Sequence, residues 1–179
     1  MRLALTGVPG TGKTTLAESL GRTCRIIHLN ELAKEAGLLS EMDEKRGSYL
    51  VDMDDLSDAL NAKLEGERGP VVVEGHFAHE MDVDSIVLLR CDPLVLLDRL
   101  RARGWAEDKV RENVEAEALD VLAQEVLDVG LPAVELDVST LSVEDAASRV
   151  WAIAEGGPKA LKGTIVGSAN WSLEALPWF

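Results

Sequence analysis

Residues Gly7 to Thr14 read Gly-Val-Pro-Gly-Thr-Gly-Lys-Thr, which fits G-x-x-x-x-G-K-[ST] at every fixed position. The run stands between an apolar stretch, Arg2 to Thr6, and a helical spacing of Leu16, Ala17 and Leu20. Strand, Gly-rich loop and helix in that order suit an open α/β sheet, where the loop leaves a strand at its carboxyl edge and ligands gather. Glycines at 7, 10 and 12 let the backbone N–H groups of residues 10 to 14 turn inward without Cβ clashes. The helix that follows aims its positive end at the same point, so the loop is a cradle for phosphate. The candidate contacts to ATP are therefore Gly10, Thr11, Gly12, Lys13, Thr14 and Thr15. Lys13 would neutralise β and γ oxygens and the Thr14 hydroxyl would hold Mg²⁺.

The rest of the chain alternates in the same way. Arg25 to Leu29 reads as a strand, Glu31 to Ala36 as a short helix stopped by Gly37, and Leu38 to Met53 as an irregular, charged stretch. A helix near Asp54 to Leu64 ends in the turn cluster Gly66 to Pro70. Val71 to Val73 and Ser85 to Leu89 are uninterrupted apolar runs, the pattern of parallel strands covered on both faces. A helix follows Asp92-Pro93 and stops at Gly104, and a long helical pattern runs from Ala106 to about Leu127. Ala133 to Leu136 is the last strand and Val143 to Ala154 the last helix. The expected fold is a doubly wound α/β sheet of about five parallel strands, residues 1–158, followed by a tail over 159–179.

Glu74 closes the third apolar run, at the carboxyl edge beside the loop, where an acid can hold a metal-bound water. His76, read as lying on the same strand face, is the candidate to orient an attacking water, against the plainer reading of a structural imidazole. His28 and His79 read as structural. Arg99, Arg101 and Arg103 crowd one helix end, and Arg90 ends the strand before it. Arg99 and Arg103 share a face at i, i+4 and are the candidate clamp on ATP. The acceptor falls over the irregular segment, with Asn30, Lys34 and Asp43 as candidate contacts. These residues leave open whether the phosphoryl group goes to a nucleotide or to water.

With 179 residues, 46% of them hydrophobic, the chain can bury one sizeable core. No run approaches the roughly 18 apolar residues of a membrane span, and Met1 to Gly7 enters a strand at once, without a secretory lead, so a cytoplasmic protein is expected. Cys24 and Cys91 stand far apart with no metal-ligand neighbour and read as reduced thiols. A formal charge of −14 argues against a broad grip on nucleic acid. The same acidity suits a protein kept soluble at high salt, or an ordinary acidic enzyme. Trp171, Leu173, Leu176, Trp178 and Phe179 make an apolar tail that either folds back or binds a partner.

The run from Gly7 to Thr15, then Asn30 to Glu35, Val51-Asp52 before a helix, and Glu74-Gly75-His76 resembles the adenylate kinase isoenzyme 6 family. Leu89 to Pro93, Leu97 to Trp105 and Lys109 to Glu117 look especially like that family's lid and following helix, in its archaeal branch. The resemblance implies an adenylate kinase of broad nucleotide specificity with intrinsic ATPase activity. It further implies a link to small ribosomal subunit maturation, with a small-subunit ribosomal protein and pre-ribosomal RNA as partners. It puts the monophosphate segment at about residues 28–51, the lid at about 102–112, Arg103 on ATP, and the acid-x-His motif on Glu74 and His76. Many relatives carry Asp at the first of these, and some carry a basic residue where Leu141 stands. Two other readings are an assembly ATPase acting on a ribosomal protein with little kinase role, and a small-metabolite kinase such as a shikimate or gluconate kinase. The stretch Lys109 to Glu117 disfavours the latter.

Overall fold

The computed structural model describes residues 1–40, 42–43, 48–157, 160 and 165–178. In chain order the strands are β1 (Arg2–Gly7), β2 (Arg25–His28), β3 (Met42–Asp43), β4 (Ser48–Tyr49), β5 (Val71–Glu74), β6 (Ser85–Arg90) and β7 (Ala133–Asp137). The helices are α1 (Lys13–Leu20), α2 (Leu29–Glu35), α3 (Met53–Lys63), α4 (Pro93–Ala102), α5 (Glu107–Ala118), α6 (Val121–Val129) and α7 (Val143–Gly156). Five strands form one sheet in the spatial order β2, β5, β1, β6, β7, and every neighbouring pair is parallel. The expected five-stranded parallel sheet is therefore present. The irregular segment contains a small antiparallel pair, in which Met42 faces Tyr49 and Asp43 faces Ser48.

Alternation along β1 sorts the core into two layers. Leu3 and Leu5 face α1 and α7, packing with Leu16, Leu20, Val150 and Ile153, while Ala4 faces the opposite layer with Leu60, Leu96, Val110, Val114 and Val126. Helices on both faces explain why all of β5 and β6 is buried and why their sequences lack polar alternation. Among the described residues no helix is long and apolar enough to cross a membrane.

The long helical pattern from Ala106 to Leu127 is interrupted. α5 stops at Ala118 and α6 starts at Val121, with Asp120 between them at φ 58°, the one non-glycine at positive φ among the described residues. A left-handed aspartate costs on the order of 1 kcal/mol, and the break gains an ion pair in return. Asp120 Oδ1 accepts from Arg90 Nη2. Arg90 is 1% exposed; its Nε donates to Glu117 Oε1 at 2.7 Å and its Nη1 to Glu135 Oε2 at 3.2 Å. Burial pushes the Glu117 carboxyl up, against the pull of Arg90. Arg90 thus joins β6, β7 and the α5–α6 corner from inside the protein.

Residues 165–178 close over this network. Gly167 N and Ser168 Oγ donate to Glu135 at 3.0 and 2.6 Å, and the Trp171 ring lies 5.9 Å from the Arg90 guanidinium carbon. Val166 and Leu176 are buried in the layer that holds α5 and α6, and Trp178 packs against it 5.6 Å from Arg111. Of the two expectations for this segment, folding back is what the structure shows for residues 165–178; Phe179 lies outside the described residues.

Candidate active site

The Gly-rich loop leaves β1 at the carboxyl edge and enters α1 with Gly12 as the capping residue, at φ 95° and without a side-chain cap. Capping side chains normally take up the first N–H groups of a helix, so a glycine there leaves them for a ligand. A Cβ built on Gly12 would meet nothing within 4 Å, so this glycine is required for its backbone conformation and keeps the cradle open. Gly10 has the same need, at φ 97°, and a second one. A Cβ there would come within 2.7 Å of Leu96 and 2.8 Å of Leu100, so the loop rests closely on α4 and a larger residue would push those leucine methyls aside. Thr11 turns its hydroxyl to the Val8 carbonyl at 3.0 Å and fixes the loop from inside.

Lys13 is buried, and its Nζ donates to the carbonyls of Gly7 at 2.8 Å and Val8 at 3.1 Å. Burial pulls its pKa down to about 8; Glu74 opposes the fall and the nearby charge of Arg103 adds to it. A cation held this way, short of solvation, has a strong preference for an anion at the loop. Thr14 and Thr15 are exposed at the mouth, and the Thr14 hydroxyl donates to Glu74 Oε1 at 3.3 Å. Glu74 is 7% exposed, and its second oxygen, Oε2, sits 2.7 Å from His28 Nδ1. A hydroxyl and one carboxylate are hard oxygen donors of the kind Mg²⁺ takes alongside phosphate oxygens and water. No cluster of three or more His, Cys, Asp or Glu able to hold a metal occurs among the described residues, consistent with so sparse a donor set.

His76 does not share a strand face with Glu74. β5 ends at Glu74, and His76 lies in the turn beyond, where its Nδ1 is 3.3 Å from the Gly7 carbonyl and its own carbonyl accepts from Thr6 Oγ1 at 2.7 Å. Proximity to the loop comes from this turn, not from strand alternation. Burial lowers the His76 pKa, the Gly7 carbonyl raises it and the Lys13 charge lowers it again. The net direction is downward, so the ring favours its neutral form and is a weaker base than a free imidazole. His79 is buried, with Nδ1 3.4 Å from Thr6 Oγ1, as a structural histidine should be.

Arg99 and Arg103 line one cleft together with Gly10, Gly12, Thr15 and Leu141. Arg99 Nη2 also donates to the carbonyls of Val138 and Ser139 at 3.0 and 3.3 Å, tying α4 to the loop after β7. Arg103 caps α4 and is exposed, and Arg101 turns away to pair with Glu107 at 2.8 Å. The cleft runs from the phosphate cradle to the β7–α7 junction, past Leu141 and Ser142.

An AAA domain family matches residues 3–120. A curated protein named "Putative adenylate kinase" from Natronomonas pharaonis is 42% identical over 92% of this chain and 96% of its own length. Others of the same name come from Archaeoglobus fulgidus, 38% identical over 97% and 93%, and Halobacterium salinarum, 39% identical over 92% and 96%. The chain belongs to this archaeal adenylate kinase family. Among solved structures, a shikimate kinase from Bacteroides thetaiotaomicron superposes with a TM-score of 0.54 at 20% identity, covering 87% of this chain and 98% of the other. The YorR protein of Bacillus subtilis, in complex with phosphorylated GDP, superposes with a TM-score of 0.58 at 16% identity, covering 87% and 96%. At such identities these two speak for the fold alone. Family membership makes the chain a P-loop kinase.

The segment expected to take the acceptor follows directly from β2. Asn30 and Lys34 are exposed on α2, one turn apart on one face. Asp43 lies in β3 by its backbone, and its side chain lies outside the described residues. The lid expected at 102–112 comprises the α4–α5 elbow, with Gly104 at φ 72°, and the first turns of α5. Sequence reasoning passed over His28, whose contact with Glu74 depends on strand register: the two are paired across β2 and β5.

Proposed function

We propose that this kinase transfers the terminal phosphoryl group of ATP, with Mg²⁺, to AMP or a related nucleoside monophosphate, giving two diphosphates, and that water competes as acceptor at the same site. The observation that carries the reading is Lys13, a cation buried at a glycine-opened helix end with Thr14 and Glu74 beside it. Its charge would be fully stabilised only as negative charge builds on the transferring phosphoryl oxygens. Thr14 and Glu74 would hold Mg²⁺, which when bound would supply positive charge against the phosphate oxygens. Arg103 would close on ATP across the cleft, with Arg99 beside it, while Asn30, Lys34 and Asp43 would contact the monophosphate. A monophosphate acceptor is already ionised and needs no base, whereas an attacking water must be oriented, and neutral His76 beside Gly7 would do so as a hydrogen-bond acceptor.

The names of the relatives and the exposed face of α2 next to the cradle favour a nucleotide acceptor. A second role in small-subunit maturation is what the family resemblance implies, and Phe77, 47% exposed with its ring 4.7 Å from that of His76, is the place we assign to such a contact. A ribosomal protein pressing on Phe77 would reach the water-orienting ring directly. Pre-ribosomal RNA would be met through that protein, since a chain of charge −14 offers no broad basic surface. The test is purified protein with ATP, Mg²⁺ and a panel of nucleoside monophosphates, measured against water alone. Transfer to AMP above hydrolysis is the expected outcome, and Lys13→Ala should abolish both. Hydrolysis without transfer to any monophosphate would refute the kinase reading of the acceptor site.

A further inference from the structure

The Glu74 carboxylate is buried, yet each of its oxygens has a different partner. Oε1 accepts from Thr14 Oγ1 at 3.3 Å and Oε2 lies 2.7 Å from His28 Nδ1. Strand register brings His28 to this point, because His28 pairs with Glu74 across the parallel β2–β5 ladder and residues paired in that way point to the same face. The ladder itself is made by backbone from Arg25 to His28, so β2 keeps its place in the sheet without the imidazole, whose contact with Glu74 acts where the strand passes into α2. His28 is also the residue from which α2 starts, two positions before Asn30. One side chain therefore touches the candidate metal carboxylate while its backbone begins the candidate acceptor helix.

We propose that His28 is a positioning residue that couples the two halves of the site. Its Nδ1–H fixes Oε2 and so aims Oε1 at the Thr14 side, where Mg²⁺ would be held. Because the donor is anchored at the first turn of α2, the carboxylate and the acceptor helix keep a constant spacing. The proposal rests on the kinase reading above for its acceptor half and only on the Thr14–Glu74 pair for its metal half. Partners of this kind, one step removed from the metal, typically change affinity by about 10- to 100-fold when removed.

The experiment compares His28→Ala, which removes the donor, with His28→Asn, whose side-chain N–H₂ stands close to the Nδ1 position. Mn²⁺ is titrated by electron paramagnetic resonance into each protein carrying the β,γ-imido analogue of ATP. The alanine variant should bind Mn²⁺ about tenfold more weakly and the asparagine variant within about threefold of the parent. In steady-state assays at saturating Mg²⁺, the alanine variant should show a raised KM for AMP with the KM for ATP unchanged, and asparagine should restore it. A lowered melting temperature with unaltered Mn²⁺ affinity and AMP KM would make His28 plain structural support and overturn the proposal. Equal losses in both variants would overturn the donor role. If the parent protein transfers nothing to AMP, the kinase reading fails separately, and the Mn²⁺ titration still decides the case for His28.

Discussion

Replacing Lys13 with methionine, a chain of similar length without charge, should stabilise the protein at neutral pH while ending phosphoryl transfer. Burial holds the Lys13 pKa at about 8 against an ordinary value of 10.5. A base with a lowered pKa binds fewer protons in the folded state, so its burial reduces stability at every pH below about 8, and the loss is recovered as pH rises to 10.5. At about 1.36 kcal/mol per pH unit, that interval is worth about 3 kcal/mol. The bonds from Nζ to the Gly7 and Val8 carbonyls work against this by about 1 kcal/mol each. Lys13→Met should therefore be more stable than the parent by about 1 kcal/mol at pH 7, or about 2–4 °C for a chain of this size. Above pH 10.5 it should be less stable by about 2 kcal/mol, when the lysine is neutral in both states and its hydrogen bonds remain. Urea unfolding of both proteins across this pH range measures the difference directly. A difference that stays constant with pH would refute the claim that a buried charge is stored at the loop.

His76→Ala should depress ATP hydrolysis more than transfer to AMP, and equal loss of both would count against water orientation. Arg90→Met leaves Glu117 and Glu135 buried without their cation and should cost about 3–5 kcal/mol in denaturant unfolding. Deleting residues 165–178 uncovers that network and exposes the sites of Val166 and Leu176, each worth about 1.5–3 kcal/mol, so a clear fall in melting temperature is expected. If the acidic surface is suited to high salt, the melting temperature should rise in molar KCl, where charge repulsion is screened within a few ångströms.

The sheet and the cradle were legible in the sequence because both depend on neighbours in the chain. The unbroken apolar runs at Val71 and Ser85 are covered on both faces, and Asp92-Pro93 starts α4 with the Asp92 carboxylate accepting from Leu94 N at 2.8 Å. What sequence could not reveal depends on residues far apart. No glycine or proline marks the corner at Asp120; the need of Arg90 for a third carboxylate does. His76 reads as a strand-face residue until β5 is seen to stop at Glu74. The contact between His28 and Glu74 requires the register of two strands 46 residues apart. Arg90 illustrates the same limit, since an arginine beside three others suggests a phosphate site and burial among carboxylates rules that out for it.

The strand that carries the phosphate loop has consequences for how the site comes into being. β1 is paired in the sheet with residues that follow it at long range, Arg2 with Val71 and Leu3 with Ser85. Closing loops of that length is slow compared with forming α1, so the helix can precede the sheet but the cradle cannot. A chain that has not yet joined β5 and β6 to β1 carries the whole motif and no binding site. Nucleotide capture during refolding should therefore report arrival of the complete central sheet, and ligand added early should act on the last step, as a latch on the finished state, without speeding the search that precedes it.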